Sequence, residues 1–191
     1  MKEYIPLLAE SGKQFLVLGN MNHITFKEIF HYFRENKMWL GYNAGHFWFK
    51  VPDYYEAKNT DYKQDEDGQK WRRLGNICWF TNMDIDIRHQ FLDLYKHFSI
   101  QEYPEYDNYD AYFVKTVAEI PCDTDKPLAV PITFLSSFSP DQFELLDANQ
   151  FRKYDEVPVK SHGLIKDKDG TIKGKATYAR LLVRNRNPEK E

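Results

Sequence analysis

The chain has 191 residues, 42% hydrophobic and 29% charged, with a formal net charge of −3. That is the size and balance of one ordinary globular domain, or one domain with a small appendage. It excludes a generic polycationic nucleic-acid coat, and no uninterrupted apolar window reaches the length of a membrane span.

Residues 14–19 form a short apolar run ending at Gly19, which predicts a buried, parallel strand. A helix should follow: Thr25 and Glu28 have capping-box spacing, and Phe26, Ile29, Phe30 and Phe33 share one helical face. Residues 38–42, 46–51 and 71–82 predict strands, with Asp65-Glu66-Asp67-Gly68 as a turn. Asn82 or Asp84 then predicts the cap of a second helix, whose apolar face is Ile87, Phe91, Leu94, Tyr95 and Phe98. A tyrosine-rich loop over 101–110 feeds strands at 111–117 and 130–135. Ser139-Pro140-Asp141-Gln142 opens a short helical turn. Strands at 157–166 and 176–184 surround the turn Asp167-Lys168-Asp169-Gly170, and the second alternates polar and apolar positions. The fold class expected is α/β, an incomplete Rossmann-like mixed sheet with flanking helices and a C-terminal β-hairpin addition.

Charge divides along the chain. Residues 151–191 carry 11 Lys and Arg against 6 Asp and Glu, a net of +5, whereas residues 1–150 carry 15 against 23, a net of −8. The expected division is therefore 1–150 for the α/β body and 151–191 for a basic extension of the same domain. Such an extension is either a phosphate footprint or an ordinary solvated hairpin. The two cysteines, Cys78 and Cys122, form no C-x-x-C pair and predict reduced, buried thiols in a cytoplasmic protein. The N-terminus has no basic start followed by an apolar run, so no secretory signal is expected.

No two glycines are spaced G-x-G and no Walker loop is present, so no dinucleotide or methyl-donor turn is assigned. The histidines show no metal-ligand spacing; a fold could gather His23, His46 and Asp53, but no metal site is assigned. The positive signals are polar and aromatic clusters near strand ends. Asn20, Asn22 and His23 follow the first strand, where open parallel sheets place ligands; they either bind a ligand or make turn and cap bonds. Asn76, Trp79 and Asn82 interrupt a later apolar strand; the asparagines suit the edge of adenine, or Asn82 caps a helix and Trp79 is core. Asp107, Asn108 and Tyr109 lie in the tyrosine-rich loop, where Tyr103, Tyr106 and Tyr109 either stack on bases or anchor the loop over the sheet. Arg180 sits on the polar side of the last strand.

In order, Phe15–Phe30, Met38–Gly41, Val51-Pro52-Asp53, Gly75–Asn82, Tyr106–Asp110, Ile120-Pro121-Cys122, Val130–Leu135 and Tyr178–Arg184 resemble the EcoRI-type adenine-specific DNA methyltransferases, over nearly the whole chain. The resemblance implies methyl transfer from S-adenosylmethionine to the exocyclic amino group of a flipped adenine in DNA. It also implies an Asn-Pro-Pro-Phe-like motif just upstream of the helix before the first strand. No two prolines adjoin here, so neither that motif nor the donor-binding turn is found. The expectation is a C-terminal portion of such an enzyme, inactive alone, partnered by DNA and by a separate N-terminal half or a second copy. Asn20, Asn22, His23, Asn76, Trp79, Asn82, Asp107, Asn108, Tyr109 and Arg180 are its candidate pocket or DNA-facing residues. The alternative is a non-enzymatic DNA-binding or interaction module. A further expectation is that the sheet exposes an apolar edge around residues 15–18.

Overall fold

In the computed structural model, residues 1–42, 45–56, 61–106, 110–146, 164–166, 172–175 and 180–190 are described. The first helix, α1 (Tyr4–Glu10), buries Ile5 and stops where Gly12 takes a left-handed φ of 68°. Strand β1 (Leu16–Asn20) leads through one 3-10 turn into α2 (Lys27–Arg34), which buries Ile29, Phe30, Tyr32 and Phe33. The expected Thr25–Glu28 capping box does not form. Phe26 is the N-cap, without a side-chain cap bond, and the Thr25 hydroxyl instead donates to the Asn22 carbonyl at 2.8 Å.

Strands β2 (Trp39–Leu40), β3 (Gly45–Lys50), β4 (Tyr62–Gln64) and β5 (Lys70–Thr81) complete the first sheet. The predicted turn before β5 is present: Gly68 holds a φ of 79°, and the Asp65 carboxylate accepts from the Gln69 amide at 2.8 Å. All four of the other strands pair antiparallel to β5. The expectation of a parallel pairing for the first strand is thus corrected: Leu16 lies opposite Thr81 and Asn20 opposite Ile77 in antiparallel register. β1 and β2 run parallel to each other only across β5, which occupies the place between them.

The predicted second helix is not formed. Only Asp86–His89 makes a 3-10 turn, and the chain then runs extended. The backbone groups that a helix would pair internally are taken by distant partners. Leu92 exchanges two 2.7 Å hydrogen bonds with the Gln142 side-chain amide. Cys122 N–H donates to the Lys96 carbonyl at 2.8 Å, and Phe98 N–H donates to the Asp123 carboxylate at 2.7 Å. Leu92, Leu94 and Phe98 lie against the core, whereas Phe91 and Tyr95, 57% and 79% exposed, face away from it. Leu94 and Phe98 fit both a helical and a two-residue period, so periodicity alone was ambiguous here.

A second sheet has the order β6 (Tyr112–Phe113), β7 (Leu128–Pro131), β11 (Arg180–Asn185), β8 (Phe143–Leu145). β6 and β7 are parallel; β11 is antiparallel to both β7 and β8. The strands expected over 111–117 and 130–135 are shorter than predicted and give way to 3-10 turns at Val117–Glu119 and Ile132–Ser137. The hairpin expected between 157–166 and 176–184 is corrected: β9 (Leu164–Lys166) pairs antiparallel with β10 (Ile172–Lys175), while β11 is taken up between β7 and β8 of the second sheet. One apolar core joins the elements: Phe33 meets Phe80 edge-on at 6.1 Å, and Phe134 meets Phe143 at 5.0 Å. The architecture is α/β, with mixed strand pairing and few helices. No helix among the described residues is long and apolar enough to cross a membrane.

Candidate functional site

The C-terminal end of β1 is where sequence-predicted residues converge. The Asn20 side-chain oxygen accepts the Asn22 amide at 2.9 Å and the Asn76 side-chain NH2 at 3.1 Å. Residues 20 and 76 are thus joined across 56 positions of chain. Asn76 reaches this position through a bulge. Ile77 pairs with Gly45 and Leu74 with Phe47, so β5 carries one more residue than β3 between those pairs. Asn76 takes a left-handed φ of 61° within that extra length, a conformation asparagine tolerates better than most L residues.

Asn22 is exposed beside this pair, and His23 follows it. The His23 ring lies 5.2 Å from Phe26, and its Nδ1 is buried with no hydrogen-bond partner among the described residues. Burial, and secondarily the chain's own terminal ammonium, hold its pKa below the ordinary imidazole value. Burial thus favours the uncharged form of the ring. The backbone beneath is closely packed: a Cβ on Gly19 would lie 2.8 Å from the Phe80 ring and 2.7 Å from the Met1 side chain.

The remaining candidates are distributed differently. Asn82 accepts from Phe15 N–H and donates to the Lys13 carbonyl, both at 2.9 Å; it ties the start of β1 to the end of β5 and caps no helix. Trp79 is half-buried on the sheet face that also carries Leu18, its antiparallel neighbour, and meets Phe47 edge-on at 6.5 Å. On that face Leu16 and Leu18 remain 51% and 40% exposed, while the opposite face, through Phe80, packs on α2. Arg180 belongs to the second sheet. It is only 8% exposed, its guanidinium lies 4.7 Å from the Phe113 ring centre, and burial lowers its pKa while the neighbouring Tyr106 phenol opposes that shift. Asp107, Asn108 and Tyr109 lie outside the described residues. Of the flanking tyrosines, Tyr103 and Tyr106 are buried anchors. The Tyr103 hydroxyl donates to the Glu119 carbonyl at 2.8 Å, and burial pushes its pKa up to about 12.

One cluster had no signal in the sequence spacing. His97, Cys122 and Asp123 bring three potential ligand atoms within 4.8 Å of one another. They converge because Lys96 and Pro121 form a parallel bridge, a pairing that spacing does not encode. Both cysteines are buried free thiols, as expected. The His46 side chain lies outside the described residues, so the grouping of His23, His46 and Asp53 is not described.

The family model for the EcoRI adenine-specific methyltransferase matches residues 1–186. The chain belongs to that family. It is 39% identical over 193 residues to the type II methyltransferase M.EcoRI of Escherichia coli, an alignment covering 99% of this chain and 55% of the relative. It is 35% identical over 196 residues to the type II methyltransferase M.MpnI of Mycoplasma pneumoniae, covering 97% and 60%. The chain therefore corresponds to a portion, somewhat over half, of these relatives. No solved structure matches it.

Proposed function

We propose that this chain is the C-terminal portion of an S-adenosylmethionine-dependent, adenine-specific DNA methyltransferase of the restriction-modification type, and that it is inactive alone. The observation that carries this reading is the family match over residues 1–186, set against relatives of which the chain spans only 55–60%. Asn22, exposed beside the Asn20–Asn76 pair, supports it from the structure, because a side-chain amide is suited to the paired donor and acceptor on the edge of adenine. In this reading Asn22, with His23 beside it, meets the displaced base. Trp79, Asp107, Asn108 and Tyr109 serve the pocket or the DNA-facing surface, Arg180, only 8% exposed, acts through the Phe113 ring it packs on, and Asn82 positions β1. Residues 1–150 form the body and 151–191 its basic extension, in a cytoplasmic protein.

The residues of this chain do not fit a methyl-donor site by themselves. The glycines supply no G-x-G turn, and Asn20 and Asn76 at the end of β1 are hydrogen-bonded to each other. No methyl-transfer step is therefore assigned to them; donor binding belongs to the part of the family's length that this chain does not match. A separate N-terminal half, or a second copy of the chain, is the proposed protein partner.

The test is transfer of a labelled methyl group to duplex DNA. The chain alone should give none, and addition of the unmatched N-terminal portion of M.EcoRI should restore measurable transfer. Turnover by the chain alone would overturn the proposal. The net +5 of residues 151–191 favours a second reading, a DNA-binding module without catalysis. Mobility shifts at two ionic strengths decide it: phosphate contacts weaken steeply with salt, and no shift at low salt removes this reading.

A further inference from the structure

Three irregular stretches of chain cross at Cys122. Residues 96–98 run beside 121–123, held by the Lys96–Pro121 bridge, the 2.8 Å bond from Cys122 N–H to the Lys96 carbonyl and the 2.7 Å bond from Phe98 N–H to Asp123. The C-terminal segment joins them: Glu189 N–H donates to the Cys122 carbonyl at 2.9 Å, and the Asn185 side chain donates to the same carbonyl at 3.2 Å. At this crossing His97 Nδ1 lies 3.1 Å from Asp123 Oδ2 and 3.8 Å from Cys122 Sγ.

Two chemistries use a thiol, an imidazole and a carboxylate together. In a nucleophilic relay the ring meets the thiol through one nitrogen and the carboxylate through the other. Here Cys122 and Asp123 both meet Nδ1, so a proton cannot pass through the ring from one to the other. In a metal site the three atoms instead surround one point. Zinc bonds of about 2.3 Å to sulfur and about 2.0–2.2 Å to nitrogen and oxygen, at tetrahedral angles, separate the ligand atoms by about 3.4–3.6 Å. The observed 3.1 and 3.8 Å bracket that spacing.

We propose that His97, Cys122 and Asp123 form a zinc site, with a water molecule taking the fourth position. A buried thiol beside an imidazole selects zinc over magnesium or calcium, which take oxygen ligands. On coordination the sulfur–zinc bond forms and the thiol proton leaves to solvent. The ion cross-links residues 96–98 to residues 121–123, which meet there without a regular ladder. This site stands independently of methyl transfer.

The experiment uses the full chain without an affinity tag, stripped of metal by a chelator and titrated with Co2+ as a spectroscopic stand-in for zinc. One equivalent should produce the near-ultraviolet thiolate-to-cobalt band and the visible bands of a four-coordinate ion, and Zn2+ should displace both. Cys122→Ser should abolish the near-ultraviolet band. His97→Ala, at a side chain that is 75% exposed and so expendable for folding, should weaken Co2+ binding by at least about tenfold. Absence of the band, its persistence unchanged in His97→Ala, or its loss in Cys78→Ser but not Cys122→Ser would each overturn the proposal.

Discussion

Asn76 combines two demands in one side chain: a left-handed backbone at φ 61° and a 3.1 Å bond to Asn20. Alanine would lose the bond and strain the backbone, at a cost of about 1–2 kcal/mol. Glycine would lose the bond but accept the conformation, so Asn76→Gly should cost less than about 1 kcal/mol. Urea midpoints of the two variants check this; equal losses would show that the backbone contributes nothing. The Cys78 thiol makes a pH prediction. It is fully buried, and burial pushes its pKa up to about 12, above the thiol's value in an unfolded chain. The folded state therefore keeps a proton that the unfolded state sheds. The associated stability is complete below the unfolded thiol value and is lost as pH rises from there toward about 12, by about 1.4 kcal/mol per pH unit. Relative to Cys78→Ala, the natural chain should lose stability at that slope in alkaline urea titrations, and a pH-independent difference would contradict it. The sequence shows both residues as interruptions or members of an apolar strand; the burial of Cys78 was legible there, the left-handed φ of Asn76 was not. The φ of Asn76 depends on the bulge opposite β3, which no local residue pattern announces.

At the scale of elements, strands and turns with local causes were legible. The turn before β5 announces itself through Asp65 and Gly68, and β3 and β5 through their aromatic and β-branched content. Elements decided by distant partners were not. The segment carrying Phe91, Leu94 and Phe98 has a helical period, yet the Gln142 amide and Asp123 carboxylate draw its backbone out into an extended run. β1 was legible as a strand but not in its direction, which its pairing with β5 decides. The expected apolar edge has a definite form: Leu16 and Leu18 project from β1 at 51% and 40% exposure, whereas Phe15 is buried. A face of this kind drives association. The isolated chain should self-associate at micromolar concentration in sedimentation velocity, and Leu16→Lys combined with Leu18→Lys should restore a monomer. A natural chain that stays monomeric throughout would count against this.

For the whole molecule, the two sheets and their common core place the predicted residues in separate neighbourhoods. Asn20, Asn22 and Asn76 meet at the end of β1, with His23 next along the chain, whereas Arg180 lies in the second sheet beside Tyr106 and Phe113. Block order along the chain was enough to indicate the family, but not which blocks would meet, because that depends on pairings between strands far apart in sequence. The same distances bear on how the protein is made. Every other strand of the first sheet hangs on β5, and the clamp between Lys13 and Asn82 spans 69 positions. At about 5–20 residues per second of synthesis, the nascent β1 leaves the ribosome several seconds before the strand that will hold it. During that interval its leucines are available to chaperones and to neighbouring nascent chains, so yield in the cell depends on translation speed between these two strands.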